Sequence, residues 1–107
     1  MADSADTRTT QLIAQVWQRS QPQVLSRLAK LESAAAAART GSLEEPQRAE
    51  AEAIAHTLSG SLGMFGFPNG TKFARALEAE LKSPSPNPTT LTTLTTSLRS
   101  ELFPTVT

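Results

Sequence analysis

Cysteine and tyrosine are absent from the sequence, and so is any long apolar run. Without cysteine the chain forms no disulfide and has no thiol nucleophile, which suits a reducing compartment. No stretch approaches the roughly 18 apolar residues that a membrane helix needs, and no basic-then-apolar signal pattern opens the chain. A cytoplasmic protein is the expectation. An excess of one charge is lacking too: ten Lys and Arg balance ten Asp and Glu, so net charge draws the chain to neither nucleic acid nor membrane. Val and Ile are few, and Ala, Leu, Glu, Gln and Arg dominate, so the composition points to an all-α chain. Its 107 residues suffice for one domain with one core. That domain is expected to span 1–107, with 1–6 loose.

In order along the chain, Leu12, Ile13, Val16 and Trp17 give an apolar patch at helical spacing over 7–19. It suits a short helix capping a bundle, with Trp17 as a core plug or part of a docking surface. Ser20-Gln21-Pro22 reads as a helix restart, Ser20 at the N-cap and Pro22 in the first turn. Val24, Leu25, Leu28 and Leu31 continue as a core stripe until Thr40-Gly41 stops the helix. Ser42 and Glu45 have capping-box spacing, with Pro46 just behind. A helix follows to about Met64, and Gly66-Phe67-Pro68-Asn69-Gly70 makes a tight connection. The next helix spans 72–82, with Phe73, Leu77 and Leu81 stacked. Ser83-Pro84-Ser85-Pro86-Asn87-Pro88 is an extended connection. Leu91, Leu94, Leu98 and Leu102 then mark a last helix whose Thr-rich surface leaves packing to hold it. The fold expected is an antiparallel four-helix bundle with a short N-terminal capping helix.

The stretch from Ala51 to Gly66 is the unusual one. At about 100° per residue, Ile54, Leu58, Ser61, Leu62 and Phe65 fall on one core-facing stripe. His56, the only histidine, points about 200° away from Ile54, toward solvent. Its outer-face neighbours are Ala49, Glu52, Ala53, Ser59, Gly60 and Gly63, all small except Glu52. Glycine inside a helix costs up to about 1 kcal/mol relative to alanine, and on an outer face no packing repays that. The pattern reads as an exposed imidazole left clear for another protein's active site.

An imidazole serves as nucleophile, general base or metal ligand. One histidine with Glu52 four residues earlier is too few ligands for a metal. Ser59 one turn away gives no cleft or oxyanion hole for hydrolysis. No strand precedes Gly60, Gly63 and Gly66, so they form no phosphate loop. What remains is a group carrier, with no catalysis of its own and no cofactor.

His56-Thr57-Leu58-Ser59-Gly60-Ser61, with Gly66 ten positions after the histidine and an apolar helix ending in Ala76-Leu77-Glu78, resembles the histidine-containing phosphotransfer (HPt) domain. The family pattern is His-x-Leu-Lys-Gly-Ser/Ala, and its frequent Lys three residues after the histidine is Ser59 here. The resemblance implies a phosphorelay carrier that exchanges a phosphoryl group between His56 and the aspartate of a receiver domain. The receiver brings the acidic pocket and Mg²⁺. Glu52, one turn before His56, is then expected to orient the ring or to limit which receivers dock, and Ser59 to offer a hydroxyl to the phosphoryl oxygens. Docking would use Ala53, Gly60, Gly63, Leu12, Ile13, Lys72 and Arg75, with the chain a monomer. A competing reading from another class is a non-phosphorylated helical module that binds and inhibits a receiver domain or a histidine kinase.

Overall fold

The computed structural model describes residues 3–104, with side chains from Thr7 onward. Four helices follow one another: α1 (Asp3–Arg39), α2 (Glu45–Ser61), α3 (Pro68–Lys82) and α4 (Pro88–Leu102). Short connections fold each helix back along the one before it. The α2–α3 pair is antiparallel, since His56 meets Glu78 while Gly63, just past the end of α2, lies by Thr71, earlier in α3. Val24, Leu28 and Leu31 of α1, Leu58 with the following Leu62, Leu77 and Leu81 of α3, and Leu91 and Leu98 of α4 fill the core. Each meets the others because apolar residues recur every three or four positions. The all-α bundle expected from composition is the fold observed.

The separate capping helix is not. Helix α1 runs unbroken for 37 residues with Pro22 inside it. At 1.5 Å per residue it is about 55 Å long, close to the molecule's longest dimension of 57 Å. Its N-terminal part therefore overhangs the bundle. An interior proline removes one helical hydrogen bond and crowds the preceding turn, at about 3 kcal/mol. Anchors on both sides hold the helix through it. Beyond the proline Val24 is buried, and before it the Trp17 ring centroid lies 5.4 Å from that of Phe65, 4.8 Å from Phe67 and 5.5 Å from Phe103. Trp17 is thus a plug at the end of the bundle. Ser20 sits within α1, and Leu25, expected in the core stripe, is 38% exposed. Of the segment expected to be loose, Asp3 to Asp6 belong to α1, while Met1 and Ala2 lie outside the described residues.

Helix boundaries differ from the sequence expectation where two signals share residue types. Ser42 does not cap α2. Its hydroxyl lies 2.7 Å from that of Thr40 and 3.3 Å from the Ala37 carbonyl, so it closes the end of α1. Glu44 is the N-cap of α2 without a side-chain bond, and Pro46 sits in the first turn. Helix α2 stops at Ser61, three residues short of Met64, and Gly66 turns the chain with φ +88°. That left-handed angle is cheap only for glycine. Helix α3 starts at Pro68, taking in the last three residues of the expected connection. Gly70 is buried there, and a Cβ on it would lie 3.2 Å from both Leu62 Cδ1 and Phe67 Cβ. Helix α4 starts at Pro88, capped by Asn87, whose Oδ1 accepts from the Thr90 amide at 3.0 Å.

Candidate functional site

His56 stands on the outer side of α2 because Ala55, Leu58 and Leu62 turn the opposite side into the core. Its side chain is 75% exposed, as its helical angle implies. Around it the surface is low. Ala53, Gly60 and Gly63 are exposed, and a Cβ on Gly60 would meet nothing within 4 Å.

The ring is nonetheless held. Its Nδ1 lies 2.9 Å from Oε2 of Glu78, which reaches across from α3 and is only 16% exposed. The same oxygen lies 3.3 Å from Nζ of Lys82, one turn further along α3. Partial burial pushes the Glu78 carboxyl up, but hydrogen bonds from His56 and Lys82 outweigh it and hold it below its ordinary range. Glu78 is therefore an ionised carboxylate at neutral pH, with no proton to donate. Nδ1 must be the donor, and in the neutral ring that leaves the Nε2 lone pair facing solvent.

Glu52, the residue expected to orient the ring, is engaged elsewhere. Arg48 Nη1 donates to its Oε1 at 2.7 Å and to the Leu81 carbonyl at 2.8 Å, while Nε and Nη2 bind Glu45. The bonds from Glu45 and Glu52 raise the Arg48 pKa. This guanidinium thus ties the start of α2 to the end of α3 and holds the register in which His56 meets Glu78. The ring-orienting carboxylate is Glu78. Sequence offered one faint sign of it, an acidic residue between Leu77 and Lys82 on the flank of an amphipathic helix.

Ser59 is next to the site, but its hydroxyl donates to the His56 carbonyl at 2.7 Å and so turns to the backbone. Leu12 and Ile13 lie on the α1 overhang, where with Val16, Met64 and Phe65 they line an apolar groove. Leu12 is 61% exposed. Lys72 and Arg75 are exposed on α3, and among the described residues neither has an ion-pair partner. Among the described residues no three His, Cys, Asp or Glu side chains gather as a metal site, and no helix is long and apolar enough to cross a membrane.

An outward Nε2 lone pair on a fixed imidazole can accept and release an electrophilic group, provided a second protein supplies and removes it. No curated protein and no solved structure matches the chain. A family model for the Hpt domain matches residues 11–102, from the α1 overhang to the last residue of α4. With its sole histidine presented on the outside of a matched helical bundle, the chain belongs to the Hpt domain family.

Proposed function

We propose that this chain carries a phosphoryl group on Nε2 of His56, to or from the aspartate of a receiver domain. Hpt domains serve histidine phosphotransfer in phosphorelays. The observation that carries the specific assignment is the 2.9 Å bond from Nδ1 to Glu78 on a ring that is otherwise exposed. In the accepting direction, the Nε2 lone pair attacks the phosphorus of an aspartyl phosphate. The N–P bond forms as the acyl P–O bond breaks, and the aspartate leaves as carboxylate. The Nδ1 proton stays in its bond to Glu78, which stabilises the cationic ring that results. The return step reverses each of these. Catalytic power comes from the receiver, which brings its acidic pocket and Mg²⁺; this chain brings no cofactor.

The receiver docks over Ala53, Gly60 and Gly63. Leu12 and Ile13 on the overhang and Lys72 and Arg75 on α3 form the flanks. A transient contact of modest area fits a carrier that must release each partner. The working form is a monomer in the cytoplasm.

Incubation with a phosphorylated receiver domain from the source organism, followed by acid and base treatment, tests the reading. Wild type should acquire acid-labile, base-stable phosphate, and His56→Gln should acquire none while its circular dichroism is unchanged. Equal uptake by the variant overturns the assignment. Ser59, where relatives often have Lys, favours a second reading as a non-phosphorylated inhibitor of a receiver or kinase. That reading expects tight receiver binding with no phosphate on His56 at all.

A further inference from the structure

We infer that Lys82 is the phosphoryl-binding cation of this site, taking over from α3 the task for which position 59 offers only a serine; the inference rests on His56 being the phosphoryl carrier. Three observations single it out. The first is the shared oxygen. Glu78 Oε2 is 2.9 Å from His56 Nδ1 and 3.3 Å from Lys82 Nζ, so ring and ammonium share one acceptor atom. Lys82 is 58% exposed, and an ammonium has three donors, so its bond to Glu78 leaves others for a new anion.

The second is direction. Side chains on a helix lean toward its N-terminus. Helices α2 and α3 are antiparallel, and the pairings of His56 with Glu78 and Gly63 with Thr71 share one register. Continued along both helices, that register sets Lys82 opposite Glu52 and Arg75 opposite Ser59. The His56 ring leans toward the level of Glu52, and Lys82 leans back toward the level of Glu78, so the two side chains converge. Arg75 and Lys72 lean in that same direction from the other side of the ring's level, and so away from the ring.

The third is availability. Arg48 already donates to Glu45, Glu52 and the Leu81 carbonyl, and the Ser59 hydroxyl is committed to the His56 carbonyl. When the N–P bond forms at Nε2, two negative charges arrive beside the Glu78 carboxylate. Lys82 can turn its free N–H groups to the phosphoryl oxygens with no proton changing hands, offsetting that repulsion.

The test uses phosphoramidate as donor, so that no receiver is needed, on the whole chain. Uptake onto His56 and the lifetime of the phosphorylated protein are both followed. Lys82→Ala should slow uptake about tenfold, a modest loss for one charge-stabilising donor because the site is open to water. It should also shorten the lifetime, and Lys82→Arg should restore both to within about twofold. Lys30→Ala, a surface lysine of α1, should match wild type. The same tenfold loss should appear when Lys82→Ala is made in a Glu78→Gln background, since Lys82 acts on the phosphoryl group directly. Wild-type rates in Lys82→Ala overturn the inference. So does a loss that vanishes in the Glu78→Gln background, or one that falls on Arg75→Ala instead. If wild type itself takes up no phosphate, the carrier reading fails and this inference goes with it.

Discussion

Glu78 lies twenty-two residues beyond His56, yet its Oε2 accepts a 2.9 Å hydrogen bond from the imidazole Nδ1. The acceptor is mostly shielded while the ring is mostly exposed. One nitrogen is thereby fixed by the fold and the other is presented to whatever approaches. The first prediction is that long-range proton–nitrogen NMR at neutral pH shows the neutral ring of His56 protonated at Nδ1. Glu78→Ala should release this preference and give a mixture of tautomers, while leaving the helical content unchanged.

Two glycines should respond in opposite ways to the same substitution. Gly60 faces open space within α2, so Gly60→Ala should stabilise the fold by about 0.5–1 kcal/mol. Gly70 is pressed by Leu62 and Phe67, each 3.2 Å from where a Cβ would lie, so Gly70→Ala should destabilise by about 1–3 kcal/mol. Denaturant titration of both variants checks the pair. A bulky Gly60→Trp should keep phosphoramidate uptake and lose transfer from a receiver, because it obstructs docking and not the ring.

Trp17 should govern the overhang of α1. It packs on Phe65, Phe67 and Phe103, and this cluster anchors the helix before Pro22. Trp17→Ala should cost roughly 2–4 kcal/mol, toward the lower part of the range for buried aromatics because the ring is half-buried. Hydrogen exchange should show the largest loss of protection over residues 8–21, with Val24 to Ala35 less affected.

Acid should remove the contribution of Glu78 and of Glu45. Burial opposes the shift at Glu78, but the bonds from His56 and Lys82 prevail; at Glu45 the Arg48 bond is the main cause, and both carboxyls sit below their ordinary range when folded. The unfolded chain therefore binds more protons across that interval, and stability falls as pH falls through it. Above the unfolded carboxylate range the contribution is fully present. Urea titrations between pH 7 and pH 3 should show the gap between wild type and Glu78→Gln shrinking with acidification. A gap that holds constant to pH 3 contradicts the assigned charge state.

The helical periods of this sequence were enough to place His56 outside and Leu58 and Leu62 inside, because direction on a helix is a local property. The partner of the ring was not legible in that way. Glu78 depends on how α2 and α3 are rotated and shifted against each other, which Arg48 fixes through the Leu81 carbonyl. Glu52 has the right local spacing, yet Arg48, another turn back, holds its carboxylate. Two of the misplaced boundaries share a cause. Ser20 before Pro22 and Ser42 before Glu45 both match a helix start, but Trp17 carries the helix through the first and Thr40 recruits Ser42 to a helix end. In both places, local signals gave way to contacts from elsewhere in the fold.

The carrier chemistry depends on which nitrogen of His56 takes the phosphoryl group. Protein labelled with ¹⁵N-histidine, phosphorylated and observed by phosphorus–nitrogen coupling, answers this in one spectrum. Coupling to Nε2, with the proton still on Nδ1, is the result expected here. Phosphorus bonded to Nδ1, or no phosphorus on the ring, would contradict it.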